Sequence, residues 1–136
     1  MHRIRMFAAC AALSVGACAS EPEAVSQSWR NGRDGLCLTG VEGSLRAGLV
    51  AYGQGESNCS LSGPATKNGD MLTITPNGDS RCRIEVGLAG QKAQIGRLAS
   101  SCAYYCGPGA DYAGRVLQLS TGPATGITDL AGDPLC

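Results

Sequence analysis

Eight cysteines in 136 residues set the strongest limit on how this chain folds, because only 4% of its residues are aromatic and twenty are glycine. A domain this poor in large apolar side chains buries little surface and needs covalent help. The chain opens with His2, Arg3 and Arg5, then an apolar run from Met6 to Ala17. That is the make-up of an export signal, and in an exported chain an even set of cysteines reads as disulfides. Cys37, Cys59, Cys82, Cys102, Cys106 and Cys136 form that set. Three bridges at roughly 2–4 kcal/mol each would offset a thin core. Zinc is disfavoured, since Cys102 and Cys106 are the only close pair and no histidine follows His2. No Cys-x-x-Cys is present for dithiol redox chemistry.

The apolar run closes on Val15-Gly16-Ala17-Cys18. This resembles the lipobox of bacterial lipoproteins, and the resemblance covers residues 1–18 alone. It implies removal of residues 1–17 as a signal peptide, a diacylglyceryl thioether on Cys18 and an acyl chain (palmitate, for instance) on its amine. Two or more chains anchor a protein stably where one does not. Ala19 in place of aspartate implies delivery to the outer membrane of the cell envelope, facing the periplasm. Cys10 has too little apolar chain before it to serve instead. The run itself is shorter than the roughly 20 residues that span a bilayer.

Residues 18–34 comprise the lipidated cysteine and a polar stretch containing Pro22, read as a flexible tether. Trp29 near its end is read as a lid on the domain, ahead of a membrane-interface contact. From residue 35 to 136 short alternating runs divided by glycine turns predict an all-β fold. The expected form is a small antiparallel meander of seven or eight strands, making a barrel or sandwich stapled by three disulfides.

Asn68-Gly69 suits a two-residue type I′ turn. Centred there, the hairpin pairs Lys67 with Asp70, Ala65 with Leu72 and Gly63 with Ile74, placing Cys59, Leu61, Ala65, Leu72 and Ile74 on one face. A one-residue slip would send half of them to solvent. A three-residue loop Pro76-Asn77-Gly78 then sets Leu72 opposite Cys82 and adds Ile84, Val86 and Leu88 to that face, with Arg81, Arg83 and Glu85 outward. A third turn near Gly90-Gln91-Lys92-Ala93 makes Cys82 and Cys102 cross-strand neighbours and a disulfide pair. It leaves Ile95 on the wrong face unless a bulge intervenes. Leu36 to Val41, Ala47 to Tyr52 and Arg115 to Ser120 read as further strands. Cys37–Cys59 and Cys106–Cys136 follow by elimination.

With His2 lost to the signal, histidine-assisted nucleophiles are absent. Lys67 and Lys92, the only lysines, fall in turns and suit no Ser–Lys dyad. Aspartates such as Asp70, Asp79 and Asp111 sit where turns favour them, and no Asp-x-Asp-x-Asp series marks a calcium loop. The expectation is therefore no enzyme, no catalytic residue, no metal and no cofactor. Nine basic residues remain against eleven acidic ones once Arg3 and Arg5 leave, which argues against nucleic acid as a partner. The segment from Ser101 to Tyr112 offers candidate binding residues: Tyr104, Tyr105 and Tyr112, with Arg97 and Arg115 flanking. A rigid loop bearing tyrosine makes a good contact surface; the competing reading has these tyrosines filling the core. A membrane-anchored, non-catalytic binding or inhibitory module with an unidentified envelope partner is the leading expectation. Its architecture is similar to that of small β-type lipoproteins that inhibit lysozyme. A structural or assembly accessory of an envelope complex is the alternative.

Overall fold

Alternation of apolar and polar residues, interrupted by glycine turns, builds one closed sheet in the computed structural model, which describes Gly16, Cys18 and residues 20–136. The eight strands are β1 Val25–Asn31, β2 Asp34–Gly40, β3 Leu45–Tyr52, β4 Asn58–Asn68, β5 Met71–Ile74, β6 Ile84–Ala89, β7 Lys92–Ile95 and β8 Val116–Ser120. Each pairs antiparallel with the next, and β8 returns to β1 to close a barrel. Closure leaves no strand edge open to pairing with another chain. Two 3₁₀ turns, η1 Ser100–Tyr105 and η2 Ala124–Gly126, are the only helical elements among the described residues.

The barrel begins ten residues before the expected domain start. β1 lies within the segment read as tether, pairing Trp29 with Leu36 on one side and Leu119 on the other. Apart from Val25 at its start and Trp29 its residues are polar, which hides the strand, and Trp29 is a core residue at 4% exposure, not a lid. Ser28 beside it is also fully buried and donates to the Gly122 carbonyl at 2.9 Å. Of the expected signal peptide and lipobox, residues 1–15 and Ala17 lie outside the described residues; Cys18 is exposed and unpaired.

Face assignments hold while three registers shift. The β4–β5 pairing sets Ala65 against Ile74 and Asn68 against Met71, so the turn is Gly69-Asp70. Gly69 has φ +58° and no non-glycine residue among the described residues has positive φ. That matches type II′, with glycine first, and excludes I′, which needs both central residues positive. On the next pair Leu72 opposes Val86, not Cys82, because residues 75–83 form a long loop instead of a tight one. The β6–β7 turn is Gly90-Gln91, which sets Ile95 against Val86 on the core face without a bulge. The first two shifts are by even numbers of residues, so Leu72, Ile74, Cys82, Ile84 and Val86 are all buried as the alternation requires, whereas the third is odd and is what carries Ile95 to the core face.

The interior is packed by Trp29, Leu36, Leu38, Leu49, Leu61, Leu72, Ile74, Ile84, Val86, Ile95 and Leu117. A second, smaller cluster lies outside the barrel wall. There Cys37 and Val50 on the outer faces of β2 and β3 meet Ala124 and Ile127, with Leu135 and Cys136 packed beside them. The C-terminal segment is thus a strap over β2 and β3, which explains why β2 is buried on both faces. Glycines make room for it. A Cβ on Gly35 would lie 2.7 Å from Ile127 Cδ1, and one on Gly48 would overlap Leu135. No described helix is long and apolar enough to cross a membrane.

Candidate functional site

Strand alternation divides the loops between two ends. Val25 starts β1 at the end that holds the β2–β3, β4–β5 and β6–β7 turns; call it the entry end. The β1–β2, β3–β4, β5–β6 and β7–β8 connections gather at the other, the loop end. Two of the three disulfides lie there: Cys82–Cys102 ties the β5–β6 loop to η1, and Cys59–Cys106 ties β4 to the residue after η1. The third, Cys37–Cys136, fastens the strap to β2. Three bridges form as expected and Cys82–Cys102 is correct, but by loop contact and not cross-strand pairing. The eliminated pairs are exchanged, since Cys59 and Cys106 meet at the loop end while Cys136 is carried back across the wall.

The bridges hold η1 at its middle and just past its C-terminal end. Between them Tyr104 stands out at 90% exposure, the most exposed large apolar side chain of the described residues. Its ring meets that of Tyr105 edge-on, centroids 5.3 Å apart. Tyr105 is partly buried against the core and donates its hydroxyl to Asp79 Oδ2 at 3.0 Å. Loss of solvent, then the carboxylate partner, hold the Tyr105 phenol above its usual pKa; the same hydrogen bond lowers that of Asp79. The following turn is pinned as well: Gly107 N donates to Asn58 O at 2.9 Å and Ser57 Oγ to Pro108 O at 2.6 Å. A backbone fixed by this many partners presents Tyr104 with little entropy left to lose on contact.

The other candidates separate by role. Tyr112 is fully buried inside the barrel and its hydroxyl has no hydrogen-bond partner. Burial, with the nearby Asp111 charge, pushes its pKa up to about 12. Arg115 donates to Asp34 Oδ2 at 2.8 Å and to the Tyr52 carbonyl at 3.0 Å, while Asp34 Oδ1 accepts from Tyr52 N at 2.8 Å. Asp34 is only 8% exposed, so Arg115 neutralises a buried carboxylate that joins β2, β3 and the β7–β8 loop. Arg97 is exposed on the strand-ward side of η1. Tyr104 therefore remains as the free aromatic contact, with Tyr105 supporting it; Tyr112 and Arg115 hold the scaffold.

Sequence reading passed over Arg33, whose guanidinium sits 3.7 Å above the Tyr52 ring and 3.0 Å from Glu56. Nothing in its local sequence announces that arrangement, which arises from the β1–β2 and β3–β4 loops meeting. Among the described residues no three His, Cys, Asp or Glu side chains gather as a metal centre requires. No protein-family model, curated protein or solved structure matches the chain.

Proposed function

We propose that the chain is a lipid-anchored protein of the bacterial envelope, held by Cys18 at the periplasmic face of the outer membrane, whose barrel binds a protein partner through the loop end without catalysing a reaction. One observation carries the reading. Tyr104 is almost fully exposed on a turn clamped by two disulfides, at the end of the barrel opposite the point where the anchored chain enters. An exposed aromatic ring on a rigid support is what interface anchors require. The want of any histidine after His2 supports the non-catalytic part. Lysozyme is the narrowest partner within this reading, on similarity of architecture and location.

The test uses residues 19–136, oxidised, as bait against envelope extract supplemented with lysozymes. Stoichiometric capture of one protein is expected, and its identity decides the lysozyme question. Tyr104→Ala should weaken that capture by about tenfold or more, as for a central aromatic anchor, while the melting temperature stays within experimental error. A bait that returns empty refutes the binding reading and leaves the assembly role. Anchoring is read separately from the intact mass of the membrane-extracted chain, in which Cys18→Ala should abolish an acylated species.

A further inference from the structure

Besides Tyr104, the large apolar side chains left most exposed among the described residues are Met71, Val116, Leu119 and Leu130. Three of those four, Met71, Val116 and Leu119, lie on the β5–β8 side of the barrel. Met71 and Val116 form the walls of one groove. The register runs Met71–Gly87–Gln94–Val116 straight across four strands on the outer face, a span of about 14 Å at ordinary strand spacing. Gly87 is the floor, where an added Cβ would meet nothing closer than the Gln94 carbonyl at 4.0 Å. The groove, about 590 Å³, is lined also by Leu88, Asp70 and Lys92, so that it reaches the β4–β5 and β6–β7 turns of the entry end.

That position is constrained by the chain itself. Six residues, and so seven Cα–Cα steps, lie between Cys18 and Val25, the first residue of the barrel. Fully extended they reach about 25 Å. With Cys18 acylated, the entry end cannot leave the membrane surface by more than that. Both lysines of the chain, Lys67 and Lys92, are on strand ends beside the entry-end turns, while Asp70 is the acidic residue of the groove rim. Lysine stems cover apolar surface and carry their charge to headgroup phosphates.

We propose that this outer face of β5–β8 rests on the bilayer surface, with Met71 and Val116 entering the headgroup layer beside Lys92. The inference rests on the lipid-anchor reading of Cys18 and gives the anchored barrel a fixed attitude. The groove faces lipid, and Tyr104 lies at the end of the barrel away from the anchored chain.

The experiment reconstitutes the full chain, expressed and processed in a bacterial envelope, into vesicles of phosphatidylethanolamine and phosphatidylglycerol with or without bromine on the acyl chains. Met71→Trp, Val116→Trp and Tyr104→Trp are compared; the native Trp29 is buried in the barrel and supplies a constant background. Bromine should remove about half of the added emission for the two groove variants, given the 5–10 Å burial usual for interfacial contacts, and leave Tyr104→Trp unchanged. Val116→Trp serves if Met71→Trp misfolds. Lys92→Glu in the Met71→Trp background should reduce the quenching. Intact mass of the same preparation separates the two failures. An acylated, vesicle-bound protein with equal or no quenching at the groove and Tyr104 positions overturns the resting face alone. An unacylated mass overturns the anchor, and the leash argument with it.

Discussion

Three tyrosines within nine residues look equivalent in sequence, yet each meets a different environment. Tyr104 is in solvent, Tyr105 shares its proton with Asp79, and Tyr112 is sealed in the core. Nothing local separates them, because the chain around them is neither a strand nor a long helix and so has no period to read. Tyr112 gives the clearest test. Its buried hydroxyl lacks a partner, and an unsatisfied buried donor costs about 1–3 kcal/mol. Tyr112→Phe removes the hydroxyl while keeping the ring, so the urea midpoint should rise, by the equivalent of about 1 kcal/mol. The pH dependence carries a second signature. Its folded pKa is raised to about 12 from an ordinary value near 10. The neutral form is thus favoured by folding, and the contribution is complete below pH about 10 and lost as pH rises toward about 12. Stability of the native protein should fall through that window, and Tyr112→Phe should flatten the fall. A lower urea midpoint for the variant would mean the hydroxyl has a partner in solution.

At the level of strands and turns, parity was legible and register was not. Inward and outward positions follow from alternation alone, which is why the core of β4, β5 and β6 could be named from the sequence. Where a hairpin turns depends on which of two adjacent residues takes the first corner, and Asn68-Gly69 and Gly69-Asp70 both satisfy the local chemistry. β1 stayed hidden for a different reason: its outer face is polar, and its burial is imposed by neighbours far along the chain. The strap was hidden too, but glycines record it. Gly48 on β3 lies under Leu135, whereas Gly87 on β6 faces open space. Gly48→Ala should therefore cost about 1–3 kcal/mol, the range for overfilling a packed contact, and should raise amide exchange in residues 121–136. Gly87→Ala should change stability by less than about 0.5 kcal/mol, as expected for an open surface position. Equal losses from the two substitutions would remove the strap as the explanation for Gly48.

For the molecule as a whole, the disulfides do what a thin core cannot, and their connectivity follows from the path of the chain. Cys136 was expected to take Cys106, its nearest partner in sequence. Instead β8 ends at the entry end, and residues 121–136 double back over β2 and β3, bringing the last residue to Cys37. The bridge closes 99 residues, against 47 for Cys59–Cys106 and 20 for Cys82–Cys102. If restriction of the unfolded chain dominates, these loops stabilise by about 4.7, 4.0 and 3.3 kcal/mol in turn. Paired Cys→Ala variants should then lose urea resistance most for Cys37 and Cys136 and least for Cys82 and Cys102. The native state pulls the other way, for Cys59, Cys82 and Cys102 are fully buried in the barrel core, and truncating buried side chains leaves cavities. Cys136 is part of a surface strap whose loss spares the closed sheet. A reversed order, with Cys82 and Cys102 costliest, would show that these bridges act chiefly as core side chains at the loop end. In that case the clamp on η1, and with it the rigid display of Tyr104, would be the larger share of what the cysteines contribute.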